Sequence, residues 1–249
     1  MMKLARPLII FLGLLVVWQL IVSITGVAKF ILPDPLSVFS ALYQRWPELM
    51  SHAGVTITEI LLGLVLGTVL GCLSALVIAQ YRGARLWILP VLVVSQAIPV
   101  FALAPILVLW LGYGLASKVA MATLIIYFPV TVAFYDGLRR TEPGWLDLAQ
   151  VMGGSGWRTL MQIRIPAALP ALASGLRVAA SVAPIGAIIG EWVGSSAGLG
   201  YLMLHANARL QVDVMFAALL VLAVFAVCLY FAIDRILRVL ISWQPDKAL

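Results

Sequence analysis

The chain has 249 residues, of which 63% are hydrophobic and 10% are charged, and its mean hydropathy is +1.10. Because an average soluble domain carries about 25% charged residues, this composition excludes a water-soluble globular protein and indicates an integral membrane protein. The net charge of +6 does not predict a nucleic-acid partner, since the basic residues are not gathered on one face with aromatic residues that stack on bases.

Six apolar segments are long enough to cross a hydrocarbon layer about 30 Å thick, which takes about 20 helical residues. They predict an all-α bundle of about six transmembrane helices, and because no linker divides it, a single domain over residues 1–249. In chain order the segments are Pro7–Thr25, Val55–Ala79, Leu86–Leu111, Val119–Tyr135, Ala171–Ile189 and Val214–Phe231.

Two of these segments carry an internal pattern. The second has glycines at i, i+4 and i+8, which form a smooth face and predict close packing against another helix: Gly63, Gly67 and Gly71. The third has three prolines, which predict a broken helix because proline lacks a backbone N–H: Pro90, Pro99 and Pro105.

The basic residues predict the orientation of the chain. With six spans and the amino terminus inside, 12 of the 16 lysines and arginines fall in cytoplasmic pieces, and only Lys29, Arg45, Lys118 and Arg209 fall on the other side. Basic residues are retained on the cytoplasmic side during insertion. Both termini, and the stretch between spans four and five, are therefore predicted to be cytoplasmic.

That stretch, residues 139–170, has the pattern of ordered water-exposed helices. Pro143 suits a first helical turn, and apolar residues then recur at i, i+3, i+4 and i+7: Trp145, Leu148, Ala149 and Met152. Gly153 and Gly154 are expected to stop this helix. Ser155 is a plausible cap for a second short helix, which Pro166 and Pro170 are expected to end. The predicted unit is a helix, a glycine hinge and a helix.

A connection between two spans needs only a handful of residues, whereas this one has about 30 ordered residues with two tryptophans. Docking of a partner protein would explain the extra length and order. The alternative is an amphipathic loop on the inner leaflet, with its arginines among lipid phosphates.

The same stretch resembles a family motif. Permease subunits of ATP-binding-cassette (ABC) importers carry a cytoplasmic loop with the pattern E-A-A-x3-G-x9-I-x-L-P. This chain has Asp147-Leu148-Ala149, then Gly153, then Ile163-x-Ile165-Pro166 at the same spacings. The segments ILPDPLSVFSAL and GEWVGSSAGLGYLML, with the proline-rich third span, resemble the nitrate/sulfonate/taurine class. GEWVGSSAGLGYLMLHANARLQ is most similar to members assigned to pyrimidine precursors of thiamine.

The resemblance implies a permease in the bacterial inner (plasma) membrane that pairs with a second copy of itself. Its other partners would be membrane lipid, ABC ATPase subunits and a periplasmic or lipid-anchored solute-binding protein. Its solute would be a pyrimidine or thiamine precursor, or a sulfonate, taurine or nitrate-like compound. The coupling helix would lie at about Gly153–Leu160. The residues carried over to the ATPase-coupling loop are Asp147, Ala149, Gly153, Gly154, Ser155, Trp157, Arg158, Leu160, Ile163 and Pro166.

No G-x4-G-K-[ST] phosphate loop occurs in the sequence, so the chain is not expected to bind ATP by that device. It is expected to bind no cofactor and to be non-catalytic, with ATP and magnesium on the partner ATPase.

Two alternative functions are a rhomboid-like intramembrane serine protease and a secondary transporter or channel. Residues 153–156 match the G-x-S-G of rhomboid-like intramembrane proteases, and residues 194–198 match G-x-S-x-G. A serine nucleophile needs a nearby base, but the only histidines, His52 and His205, lie in segments predicted to face outward, opposite Ser155. A secondary transporter or channel usually has ionisable groups near the membrane centre, and here only two glutamates approach the apolar zone.

Polar and charged residues within or beside the apolar spans are candidates for the translocation pathway, because burying them in the membrane without a partner costs free energy. Ser95 and Gln96 lie between prolines that free backbone carbonyls for a cavity. The carboxylate of Glu191, beside the fifth span, costs free energy unless it reaches water or a partner. Glu191 is therefore predicted to belong to an outer gate. The glycines after it allow residues 199–204, with Leu199 and Tyr201, to fold back as a re-entrant piece.

Overall fold

The computed structural model describes residues 2–95 and 98–243, and the regular structure in these ranges is helical throughout. The all-α prediction is therefore confirmed. The helices are α1 (Met2–Thr25), α2 (Pro35–Gln44), α3 (Trp46–Gln80), α4 (Arg82–Ser95), α5 (Val100–Leu111), α6 (Leu115–Arg139), α7 (Pro143–Val151), α8 (Gly156–Thr159), a π-helix (Leu160–Arg164), α9 (Ile165–Gly194), α10 (Leu199–Ala208) and α11 (Val212–Leu240).

Four described segments are long and apolar enough to cross a membrane: α3, α6, the run Gly156–Gly194 that ends with α9, and α11. Helices α4 and α5 pass the same test together but are bent by 104°. Pro99 is the cap of α5, so the third predicted span is broken there as expected, whereas Pro90 and Pro105 lie inside α4 and α5. In the first predicted span the described apolar helix is Leu12–Thr25, which is shorter.

The chain forms two compact units, and their boundaries fall within α3, between α9 and α10, and within α11. One consists of Met1–Thr56 with Ser196–Val224, and the other of Ile57–Ser195 with Phe225–Leu249. We call them the first and second unit. The single domain over residues 1–249 stays a prediction.

The second unit has its core where α3, α6 and α9 come close together. A Cβ atom built on Gly63 would lie 2.5 Å from Ala122 Cβ, and one built on Gly67 would lie 2.7 Å from Ile126 Cγ2. The glycine face of the second span therefore packs against α6, which confirms that prediction. Helix α9 approaches α6 equally closely at Gly186, since a Cβ atom built on Gly186 would lie 2.7 Å from the Cα atom of Ala122.

The first unit is organised around the start of α2. The indole N–H of Trp18 donates to the carbonyl of Pro33 at 3.0 Å. The carboxylate of Asp34 accepts from the backbone N–H of Ser37 at 3.1 Å and caps α2. This bond holds the pKa of the Asp34 carboxyl below its ordinary value. Asp34 is therefore the cap residue of α2.

Candidate functional site

The connection between α6 and α9, residues 140–164, is the predicted coupling segment, and we call it the α6–α9 loop. Helix α7 begins with Pro143 in its first turn, as predicted, and ends at Val151. Gly153 has φ +73°, a conformation that L residues with a side chain rarely adopt. Its N–H donates to the carbonyl of Gln150 at 3.0 Å, and that of Gly154 donates to Ala149 at 2.8 Å. These two bonds form a Schellman turn, so the glycine pair is a fixed turn and not a loose hinge.

The second predicted helix begins as expected but does not end where the prolines were placed. Ser155 caps α8, and its hydroxyl accepts from the N–H of Arg158 at 3.4 Å. The chain then passes through the π-helix directly into α9, with Pro166 in the first turn of α9 and Pro170 inside it. The prediction that these prolines end the helix is wrong. The π turn ends in a bond from the N–H of Ile165 to the carbonyl of Leu160. The helix then continues through Pro166, although proline has no N–H to donate.

Much of the loop surface is apolar and exposed. Val151 is 86% exposed, Met152 78% and Trp157 61%. Of these three residues, Met152 also lines an open groove of about 390 Å³. The other lining residues are Trp145, Leu148, Ala149, Gln162, Ile163, Pro166, Ala167 and Trp243. Exposed apolar patches of this kind mark interaction sites.

The residues carried over to the coupling loop divide into three groups. Ala149 and Leu160 are buried, and Leu160 packs in an apolar cluster with Leu138. Ile163 and Pro166 are half-buried and line the groove. The others are exposed: Asp147, Gly153, Gly154, Ser155, Trp157 and Arg158.

Arg164 is a loop residue for which the sequence predicted no contact with another helix. The guanidinium of Arg164 donates through Nε and Nη2 to the carbonyl of Leu138, at 3.2 and 3.1 Å. The hydroxyl of Thr141 donates to the same carbonyl at 3.1 Å. Leu138 lies in the last turn of α6, where carbonyls have no partner within the helix. Sequence periodicity gives no signal for this contact, because its partners are 26 residues apart.

Glu191, the predicted gate residue, lies in a buried ionic cluster of the second unit with Glu59 and Lys118. Each of the three is 1% exposed. The carboxyl groups of Glu59 and Glu191 interact with each other and with the Lys118 ammonium. Lys118 also donates to three carbonyls: those of Tyr113, Gly114 and Gly194. The sequence predicts that Lys118 lies on the side opposite the cytoplasm, directly before the fourth span, and that side stays a prediction. Lys118 lies in the first turn of α6 and is buried, where its ammonium has charged and carbonyl partners.

The predicted re-entrant piece is the helix α10 of the first unit. Its N-terminal backbone is held by two side chains of α3. The N–H of Gly198 donates to His52 Nδ1 at 3.0 Å, and the N–H of Leu199 donates to the hydroxyl of Thr56 at 2.8 Å. The ring of Tyr201 lies 5.9 Å from that of His52, centroid to centroid. His52 therefore holds a backbone N–H, a role that sequence reasoning did not assign to it.

The remaining pathway candidates lie around the broken span. Ser95 is exposed, and its hydroxyl donates to the carbonyl of Leu92 at 2.8 Å. It lines an apolar cavity of about 470 Å³ together with Tyr127. The hydroxyl of Tyr127 donates to that of Ser74 at 2.8 Å. Gln96 lies outside the described residues.

Comparisons with known proteins agree with one another. A family model described as "Binding-protein-dependent transport system inner membrane component" matches residues 63–243. The chain is 56% identical over 236 residues to a probable ABC transporter permease protein of Haemophilus influenzae, covering 95% of this chain and 96% of that protein. It is 35% identical over 243 residues to a formylaminopyrimidine transport permease protein of Halalkalibacterium halodurans, covering 97% of each. Among solved structures, an inward-facing conformation of the MetNI methionine ABC transporter has a TM-score of 0.67 at 18% identity, covering 79% of this chain and 97% of that chain. This last likeness concerns the fold alone.

Proposed function

Because this chain belongs to the family of binding-protein-dependent transport system inner membrane components, we propose that its α6–α9 loop docks a separate ATPase subunit and couples ATP hydrolysis to transport. The chain is a permease subunit of an ABC importer and a multi-pass protein of the inner membrane. The proposal concerns which residues do the coupling. The loop would lie in the cytoplasm with both termini.

The observation that carries the proposal is an ordered loop with an unpaired apolar surface. Its Schellman turn and its cap at Ser155 fix the backbone, yet Val151, Met152 and Trp157 remain exposed. Fixing a backbone costs about 1–2 kcal/mol per residue, so a loop that only joined two spans would gain little from this order. A rigid apolar surface with Arg158 at its edge suits a groove on a partner protein.

A photo-crosslinking amino acid at position 157 tests the docking in inner-membrane vesicles that contain the ATPase subunit. We expect a cross-link to the ATPase. Position 43 is the control, since Tyr43 is an exposed aromatic residue, at 86%, outside the loop. A probe at position 157 that labels only lipid would refute docking and support the alternative of a loop on the membrane surface.

We also propose that the solute is a pyrimidine precursor of thiamine. The support is the relative assigned to formylaminopyrimidine transport, which matches over 97% of both chains. The solute would be delivered by a binding protein to a pathway formed by two copies of this permease. Formylaminopyrimidine should raise ATP hydrolysis by the reconstituted complex, whereas stimulation by taurine and not by the pyrimidine would contradict this assignment.

The outer gate remains a proposal and now centres on α10. Leu199 is 1% exposed, whereas Leu204 is 44% exposed, so Leu204 is the better candidate for closing against a second copy. Tyr201 and the glycines at positions 198 and 200 would let α10 tilt. A part for Glu191 in the gate also remains a proposal; it lies in the buried cluster of the second unit.

A further inference from the structure

We propose that Arg164 is the positioning residue that fastens the α6–α9 loop to the end of α6, so that displacement of the loop by the ATPase moves α6 and α9 together. The inference rests on the proposed docking function and adds a specific residue and contact to it. Arg164 stands at the unspecified position of Ile163-x-Ile165-Pro166, so the motif assigns no role to it.

The geometry is that of a clamp. Two nitrogen atoms of one planar guanidinium, Nε and Nη2, reach the single carbonyl oxygen of Leu138 at 3.2 and 3.1 Å. Bonds from a charged donor are roughly twice as strong as neutral ones. A cation is also favoured at a helix C-terminus, where the helix dipole is negative. The bond joins the last turn of α6 to the last residue of the loop.

Packing supplies the other attachment of the loop. Leu160 is 2% exposed and lies in one apolar cluster with Leu138, Ala75 and Ile78. This contact is non-directional, and apolar packing at one residue does not prevent the loop from turning about it. The bonds of Arg164 add direction four residues later. Together the two attachments join α8 to the end of α6, and without Arg164 the loop loses the only one of the two that has a fixed direction.

The π-helix orients the side chain of Arg164 toward the end of α6. Its hydrogen bonds run from i to i+5, so its turn is wider than the turns of α8 and α9 on either side. A side chain in this turn therefore projects differently from its counterpart in a continuous α-helix. This local irregularity lets Arg164 face the end of α6 while α9 keeps its small residues against the same helix: the Cβ of Ala168 would lie 3.0 Å from a Cβ on Gly137. Single π turns inside α-helices are often found at functional sites.

The test compares Arg164→Met with wild type in proteoliposomes that contain the complete importer. The measured quantity is the amount of solute transported per ATP hydrolysed. Allosteric coupling in proteins is typically worth 5- to 150-fold, and we expect this ratio to fall at least about fivefold while ATP hydrolysis continues. Arg164→Lys, which keeps the charge but not the planar fork, should give an intermediate ratio.

Arg139→Met is the matched control, because Arg139 is an exposed arginine next to Leu138. Its ratio should equal that of wild type. If Arg164→Met does not accumulate in the membrane, Arg164→Gln replaces it, and a reduced ratio in that variant supports the inference. If the variant that is measured, Arg164→Met or Arg164→Gln, transports as much solute per ATP as wild type, the inference about Arg164 is overturned.

The cross-link from position 157 separates the two proposals. If the wild type gives no cross-link to the ATPase, docking by the loop is refuted. If the cross-link persists in Arg164→Met and the ratio is unchanged, docking stands and only the clamp is refuted. Loss of the cross-link in Arg164→Met would also overturn the clamp, since Arg164 would then serve docking itself and not transmission.

Discussion

Replacement of Lys118 by methionine should destabilise the permease strongly. Lys118 is 1% exposed, and so are the two carboxyl groups beside it, on Glu59 and Glu191. Removing one partner from a buried ionic group costs about 3–5 kcal/mol, because the other charges remain buried without compensation. The carbonyls of Gly114 and Gly194 also lose their charged donor. For a chain of this size, about 1 kcal/mol corresponds to roughly 2–4 °C in melting temperature, so we expect a decrease of roughly 6–20 °C.

The assay is the temperature at which the purified permease in mild detergent loses its monodisperse chromatographic peak. Lys29→Met is the control, since Lys29 pairs with Asp34 at 3.8 Å but is 83% exposed, and exposed ion pairs contribute about 0–1 kcal/mol. A second variant tests the reason for the effect. Lys118→Met combined with Glu59→Gln and Glu191→Gln removes every charge of the cluster and should recover at least half of the loss. If Lys118→Met melts within about 2 °C of wild type, the cluster does not stabilise the fold and the reasoning fails.

Three further variants test other parts of the structure. Gly67→Val should separate two helices and prevent accumulation in the membrane, whereas Gly83→Ala, with nothing within 4 Å of its Cβ, should accumulate normally on immunoblots; equal amounts would refute the close approach. The capping bond lowers the pKa of Asp34 in the folded state. The bond therefore stabilises the fold fully at pH values above the pKa of the unfolded chain, about 3.9, and this stabilisation is lost as the pH falls through the lower pKa of the folded state. Asp34→Asn keeps a cap that does not titrate and should flatten melting temperature between about pH 5 and pH 2. A cysteine at Leu204 should react with maleimide much faster than one at buried Leu199, and the reverse order would remove Leu204 from the proposed gate.

The helices and the loop were predictable because their signals are local. The apolar runs of the second, fourth, fifth and sixth spans and the stop at Gly153 all follow from residues within a few turns of one another. The structure confirms each of these as a helix or a turn. The pattern of small residues on α3 likewise predicted close packing, since a glycine face needs no knowledge of its partner.

The parts that sequence reasoning missed depend on distant partners. A lysine at the edge of an apolar run usually extends its ammonium to the membrane surface. Lys118 is buried instead, because Glu59 and Glu191 come from two other helices. Its burial is therefore not contained in the residues next to it. The bond from Arg164 to the carbonyl of Leu138 was missed for the same reason, since its partners are 26 residues apart.

Helix α6 is attached to α9 at both of its ends, and this has a mechanical consequence. Near its start, the ammonium of Lys118 donates to the carbonyl of Gly194, the last residue of α9. In its last turn, the carbonyl of Leu138 accepts from Arg164, directly before α9 begins. Lys118 and Leu138 are 20 positions apart in α6, which is about 30 Å at 1.5 Å per residue and close to the thickness of the hydrocarbon layer. Between them, close approaches such as that of Gly186 to Ala122 leave little space for sliding. A pair of helices held in this way moves as one body. A displacement of the loop that the Arg164 clamp passes to α6 would therefore reach the end of α9 that carries Glu191 without a separate relay across the membrane.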